Sequence, residues 1–321
     1  MNKKKLFLWI ATFIVFGLLF SAVDPAQAVE ALVNARPLPL LAAAALTFLF
    51  PVLSALRWKW IMMRLDAPIP FWDSLKLILA AWPLATVTPA KSGDLIKVIF
   101  LKNVLPYGQT SGLLIAERLI DVAVLSFSAS LGGFLLGLPS IAAIGGAIFS
   151  GVVGAFIFLA IGLSRLLPQK YRTLGDDVIL ASQRLYSDPS AFFWIVLLTF
   201  ANWFASYLQT WLCYQSLQAV VPLGYVCAAL PVAIFVGLLP ITTAGMGTRD
   251  AAMIYLFQGF AAYETNLAVG VLYSIFGYWV LTLAGLPFMR MAFNGNLLGL
   301  DRSALQIKIN QPRLDSKENN Q

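Results

Sequence analysis

Apolar runs of roughly bilayer length recur along this chain, each closed by a short polar or basic stretch. The first covers 6–23, behind Lys3, Lys4 and Lys5, and ends in Asp24-Pro25-Ala26-Gln27-Ala28. A basic start and an Ala-Gln-Ala close suit a cleaved signal peptide, while the length suits a retained helix. The next run, 38–56, holds Pro51 as a kink and ends in Arg57, Trp58, Lys59, Trp60 and Arg64. Cations and tryptophans together mark a cytoplasmic interface. Runs at 111–138, 141–163, 192–217 and 266–289 also predict spanning helices. In 141–163, Gly145, Gly146, Gly151 and Gly154 permit close helix contacts. The connector 164–190 places Leu174, Val178, Ala181 and Leu185 at helical spacing, which predicts an amphipathic helix on the cytoplasmic surface. The tail 294–321 is polar and reads as disordered and cytoplasmic.

Two further apolar stretches are broken. The first, 71–105, is interrupted by Thr88-Pro89-Ala90-Lys91-Ser92-Gly93-Asp94, and the second, 223–260, by residues 240–250, which read PITTAGMGTRD. The arm after the first break is about 12 residues, or about 18 Å of helix, against a hydrocarbon core of about 30 Å. Each broken stretch therefore predicts a re-entrant hairpin, the first opening to the cytoplasm and the second outward. Loop cations support this orientation, because the outside loops carry Arg36 and almost no other. The fold class expected is all-α: a polytopic membrane protein of about six full spans and two hairpins, with both termini cytoplasmic. Residues 1–293 form one transmembrane domain. Within it, 38–138 and 192–290 each read span, hairpin, span with opposite orientation, the pattern of an inverted repeat.

Composition narrows the function classes. Hydrophobic residues make up 60% and charged residues 12%, with a mean hydropathy of +0.80. Soluble domains carry about 25% charge. The net charge of +7 follows cations at segment ends, so it fits topology and an anionic lipid surface, and no nucleic-acid partner is expected. The chain contains no histidine, which removes imidazole bases, His-ligated metals and Ser-His-Asp triads. The polar segments are too short for a soluble catalytic domain, so neither an enzyme nor a bound cofactor or metal is expected. Cys213 and Cys227 both lie in or beside apolar runs and read as buried thiols.

Charged residues within the apolar pattern are the candidate chemistry. Each costs on the order of 2.5–3.5 kcal/mol at the centre of a lipid-facing helix, so Lys91, Asp94, Glu117, Arg118, Asp121, Arg249 and Asp250 should face inward. Arg118 is then the sequence neighbour placed to answer Glu117 and Asp121. At the breaks, Ser92 and Thr248 are candidate helix caps. Each arm would point a positive helix end and free amides into the membrane beside Lys91 or Arg249. Gly93, Gly245 and Gly247 allow close approach of the backbone to a ligand, or simply a turn. Asp250 should turn about 100° away from Arg249, leaving that guanidinium free for a phosphate.

The strings VTPAKSGDLIKVIFLKN, LLIAERLIDVAVL and LPITTAGMGTRDAAMIYLF resemble the lysylphosphatidylglycerol synthase transmembrane region, also called the flippase-like or UPF0104 family. The resemblance rests on Pro89, Gly93, Asp94 and Lys97; on Glu117, Arg118 and Asp121; and on Pro240, Gly245, Gly247, Arg249 and Asp250. The Arg57-Trp58 pair resembles the family too. Lys97 stands where the family more often has arginine, and Lys91 departs from it as well. The resemblance implies binding and translocation of a lipid with an anionic or polar head, a phospholipid or a polyprenyl-phosphate glycolipid, across the inner membrane. Lys91, Lys97, Arg118 and Arg249 would contact the head, with Asp94, Glu117, Asp121 and Asp250 orienting those cations or relaying protons. Larger members carry a soluble aminoacyl-transferase domain, and no stretch of this sequence reads as one. Nor does any stretch read as a P-loop, so a gradient, downstream consumption or equilibration would drive movement. The alternatives are a non-catalytic partner of a lipid-modifying enzyme or glycosyltransferase, and a membrane-embedded lipid-modifying enzyme. A homo-oligomer remains open.

Overall fold

The structure, a computed structural model, describes residues 30, 33–65, 67–88, 92–102, 104–161, 168–294 and 297. The run at 6–23, Lys91 and nearly all of the 294–321 tail lie outside them. The described residues are helical, and the chain is a polytopic membrane protein.

Helices α1 (Pro37–Leu46) and α2 (Leu49–Arg64) form one span of 28 residues. The break between them follows from Pro51, which cannot donate to the carbonyl of Thr47 four residues back. Gln209 braces the turn before the break, its Nε2 donating to Ala43 O at 2.8 Å and to Thr47 Oγ1 at 3.0 Å. The helix runs on past the expected end at 56, and this carries Arg57 and Trp58 into the protein interior. Helix α3 (Phe71–Thr86) then leads into the first break.

The arm expected over 94–105 is shorter. Ser92–Leu95 forms one 3₁₀ turn and α4 (Ile96–Phe100) only five residues of helix. Val104 and Leu105 both donate to Leu101 O, at 2.8 and 2.9 Å, and these turns deliver the chain to Pro106. Helix α5 (Tyr107–Leu135) follows. It stops at Gly137, whose φ of +66° permits the Leu138 amide to reach back to Gly133 O. At 29 residues α5 is long enough to span, although it carries Glu117, Arg118 and Asp121.

Helix α6 (Pro139–Ala160) packs along α5. A methyl on Gly145 would lie 2.8 Å from Ser126 O, and one on Gly133 would lie 2.5 Å from Ala142 N, so these two glycines set the helix distance. Gly151 and Gly154 face open space and take no part. Helix α7 (Gln169–Tyr186) buries Val178, Ala181 and Leu185, while Leu174 is exposed. It lies against the start of α5, where Gly112 meets the backbone of Asp177.

Helix α8 (Pro189–Ser216) begins with Asp188 accepting from the Ser190 and Ala191 amides at 2.8 and 3.2 Å. Helix α9 (Leu223–Leu238), the second break and α10 (Thr248–Phe257) come next. The last span, Tyr263–Phe293, consists of α11 (Tyr263–Ser274), a π turn (Ile275–Trp279) and α12 (Val280–Phe293). Four described spans, Pro37–Arg64, Pro139–Phe158, Pro189–Ser216 and Tyr263–Phe293, are long and apolar enough to cross a membrane; α9 is apolar but shorter.

Packing interleaves the two halves. The first spans meet each other, α1 and α2 against α8. The first broken segment packs on the last span, α3 against α12, and the second packs on α5, α9 against α5. Gly285 makes the α3–α12 contact possible, since a methyl there would lie 3.0 Å from Pro83 Cδ.

Candidate functional site

Both breaks fold back on their own leading helix, and a glycine allows each return. A methyl on Gly93 would enter the backbone of Leu84 and Ala85 in α3; one on Gly245 would enter that of Gly237 in α9. Thr88 fastens the first return, its Oγ1 donating to Leu84 O at 2.7 Å and accepting from the Gly93 amide at 2.6 Å. Positive φ at Ala244 (51°), Gly245 (74°) and Gly247 (95°) shapes the second. Gly93 and Gly245 thus approach protein backbone. Ser92 and Thr248 cap neither arm. Ser92 is exposed in the 3₁₀ turn, and α10 is capped by Asp250, whose Oδ2 accepts from the Gly247 amide at 2.9 Å. Thr248 instead pairs its hydroxyl with that of Thr242 at 2.9 Å.

The first break delivers Asp94 and Lys97 to a buried ionic cluster with α2 and α5. Its hub is Arg57. One guanidinium nitrogen, Nη1, donates to Asp121 Oδ1 at 2.7 Å and to Thr199 Oγ1 at 3.0 Å, and Nη2 donates to Glu117 Oε1. Trp58 Nε1 donates to the same Glu117 oxygen at 3.0 Å, and Trp203 Nε1 to Asp121 Oδ1 at 3.3 Å. Lys97, 3% exposed, pairs with Asp94 Oδ1 at 3.1 Å and lies 4.8 Å from the Trp58 ring centroid. Arg118 bridges Asp94 Oδ2 and Asp121 Oδ2, the latter at 3.2 Å. Its side chain is 41% exposed, whereas that of Arg57 is 7%. The expected pairing is thereby corrected: the buried partner of Glu117 and Asp121 is Arg57, and Arg118 sits at the edge. Rotation explains it. Glu117 and Asp121 share the face of α5 turned to α2, and Arg118 lies about 100° around.

These groups line a partly open cavity with Trp82, Trp203, Tyr273 and Tyr278 among its walls. Asp121, Trp203 and Tyr278 lie near the midpoints of helical segments of 29, 28 and 31 residues. Three cations (Arg57, Lys97, Arg118) and three carboxylates (Asp94, Glu117, Asp121) meet in the cavity. Glu117 Oε2 and Arg57 Nε have no partner among the described residues.

A smaller, mostly apolar cavity shares Arg118, Asp121, Trp203, Tyr273 and Tyr278 with the first and reaches Arg249. Asp250 does not turn away from Arg249. Its Oδ1 accepts from Arg249 Nε at 3.0 Å and Nη2 at 2.5 Å, because the long arginine chain reaches around the first turn of α10. Nη2 also donates to Ser274 Oγ at 2.7 Å and Gly270 O at 3.3 Å, and the guanidinium lies 4.2 Å from the Tyr273 ring centroid. Only Nη1 has no partner among the described residues. The Arg249–Asp250 pair therefore ties the second break to α11 and shows one nitrogen's worth of donors beyond that tie.

The sequence model of a family described as the lysylphosphatidylglycerol synthase TM region matches residues 7–285. The chain belongs to that family. It is also 25% identical, over 289 residues, to the UPF0104 membrane protein MJ1595 of Methanocaldococcus jannaschii, a match covering 80% of this chain and 85% of the relative. The name of that relative states no catalytic activity.

Proposed function

We propose that this member of the lysylphosphatidylglycerol synthase transmembrane-region family moves a lipid with an anionic or polar head across the inner membrane. The observation that carries this reading is a charged cavity walled by α2, α3 and α5 from one half and by α8, α11 and the π turn from the other; in this reading it lies at mid-membrane depth. Six ionised groups at that depth are costly and hold together only as a closed network or around a polar ligand. Arg118, half-exposed and facing both cavities, would meet the phosphate first. Lys97 and Arg57 would hold it as Asp94 and Asp121 give up part of their hold on those cations. Arg249 Nη1 would be a second station in the smaller cavity.

In this reading both termini are cytoplasmic, residues 38–138 and 192–290 form an inverted repeat, and the breaks open to opposite sides. The exchange seen in the packing supports the repeat: each broken segment lies on the other unit's second span. Lipid exchange between leaflets tests the function. Purified protein in vesicles should make inner-leaflet head-group-labelled phosphatidylglycerol accessible to an impermeant reductant. Accessibility equal to that in protein-free vesicles would remove the reading.

A further inference from the structure

We propose that the cavity takes up one proton for each monoanionic head group it binds, and that the proton resides on Glu117 Oε2. This rests on the cavity being a lipid head-group site. The described charges around it, Arg57, Lys97 and Arg118 against Asp94, Glu117 and Asp121, sum to zero when all are ionised. A phosphodiester entering such a site leaves one negative charge in surroundings that solvate it poorly. Protonating one carboxylate restores neutrality.

Hydrogen bonding selects the carboxylate. Asp94 has both oxygens engaged, by Lys97 and Arg118. Asp121 also has both engaged, Oδ1 by Arg57 and Trp203 and Oδ2 by Arg118. Glu117 concentrates its donors, Arg57 and Trp58, on Oε1, and its Oε2 has none among the described residues although the residue is only 2% exposed. A proton on Oε2 thus breaks no bond in the network. It also turns a buried bare acceptor of a cavity-lining residue into an O–H donor, available to a phosphate oxygen that reaches it. Charge balances: one head-group anion and one proton enter, and no other group changes state.

The groups facing Glu117 leave no competing site. Helix α2 presents Arg57 and Trp58, the first break Asp94 and Lys97, and α5 itself Arg118 and Asp121. Helix α8 presents Asn202 and Trp203, and α11 and the π turn present the phenols Tyr273 and Tyr278, all neutral near pH 7. Helices α6 and α9 contain no charged residue. On α7, Asp177 lies by Gly108 and Gly112 near the start of α5. A proton carried with each head would let a pH difference across the membrane bias the lipid's distribution.

Calorimetry decides the matter. The full chain in detergent is titrated with dihexanoyl phosphatidylglycerol at pH 7 in two buffers of different ionisation enthalpy, which yields protons taken up per lipid bound. Wild type should take up about one, and its affinity should fall about tenfold per pH unit on going alkaline. Glu117→Gln keeps the Oε1 acceptor and imitates the protonated form. It should bind with no proton uptake and lose the pH slope. Dihexanoyl phosphatidylethanolamine brings no net charge, and any binding of it should involve no uptake by wild type. Binding of phosphatidylglycerol by wild type with no proton taken up would overturn the inference and leave the head-group site standing. Absence of phosphatidylglycerol binding at any pH would overturn the site reading and the inference with it. If Glu117→Gln does not fold, the wild-type proton count and pH slope still decide.

Discussion

Arg57 and Arg118 contribute to the same cluster but should differ sharply when removed. Without Arg57, Glu117 and Asp121, both buried, lose their shared donor. Losing one partner of a buried pair costs roughly 3–5 kcal/mol. We expect Arg57→Ala to be poorly recovered and to melt far below wild type. Removing Arg118 leaves Asp94 its Lys97 and Asp121 its Arg57, and the side chain is already 41% exposed. A pair of that kind contributes about 0–1 kcal/mol, so Arg118→Ala should melt close to wild type. Thermal unfolding in detergent ranks the two, and the opposite order would contradict Arg57 as the hub. The sequence makes Glu117 and Asp121 legible as a pair because they sit four apart inside an apolar run. It hides Arg57, because a cation beside Trp58, Lys59 and Trp60 near the end of a span reads as an interface anchor. The distinguishing signal is the helix face. Arg57, Trp58 and Ile61 are buried together and Lys59 is exposed, a split imposed by packing on the rest of the bundle. The Arg249–Asp250 contact was hidden for a related reason: helical phase describes where side chains start, and a long one can double back.

At the scale of elements, the two breaks owe their shape to glycine meeting the backbone of the preceding helix. Gly93→Ala should therefore destabilise by roughly 1–3 kcal/mol, because the new methyl has only the Leu84–Ala85 backbone to displace. Gly151→Ala, placed in open space on α6, is the control, expected within about 0.5 kcal/mol of wild type. Equal melting of the two variants would mean that the return at Gly93 is loose. The orientation of the breaks is a separate matter. Cysteines at Ser92 and Ile241, both exposed, in a background without Cys213 and Cys227, should react with an impermeant thiol reagent from opposite faces. Reaction of both from one face would defeat the opposed hairpins. Apolar run lengths and proline and glycine punctuation made the existence and order of these elements legible. The ends were less so. The arm after Asp94 shrank to α4 because turn hydrogen bonds onto Leu101 competed with helix, while α2 outran its expected end because its face found partners. The α7 face was legible in part: of Leu174, Val178, Ala181 and Leu185, the last three are buried and Leu174 is exposed, and the helix packs on the start of α5.

Across the whole molecule, the interleaving of the two halves places the cluster between them. Residues on α2, the 3₁₀ turn at Ser92–Leu95, α4 and α5 hold charge, and α8, α11 and the π turn close the other side with Trp203, Tyr273 and Tyr278. Tertiary convergence of this kind leaves no local mark, which is why the charged positions were legible individually and their common cavity was not. If lipid heads pass through that cavity, filling it should stop exchange. Asn202 is suited to the purpose: it lines the cavity, and its Oδ1 has no partner among the described residues. The most direct measurement compares wild type, Asn202→Trp and protein-free vesicles, each loaded in both leaflets with head-group-labelled phosphatidylglycerol and treated with an impermeant reductant. We expect near-complete loss of label with wild type, and loss of only the outer-leaflet share with Asn202→Trp that is folded by its melting temperature and with protein-free vesicles. Loss from folded Asn202→Trp vesicles as fast and complete as from wild type would contradict passage through this cavity.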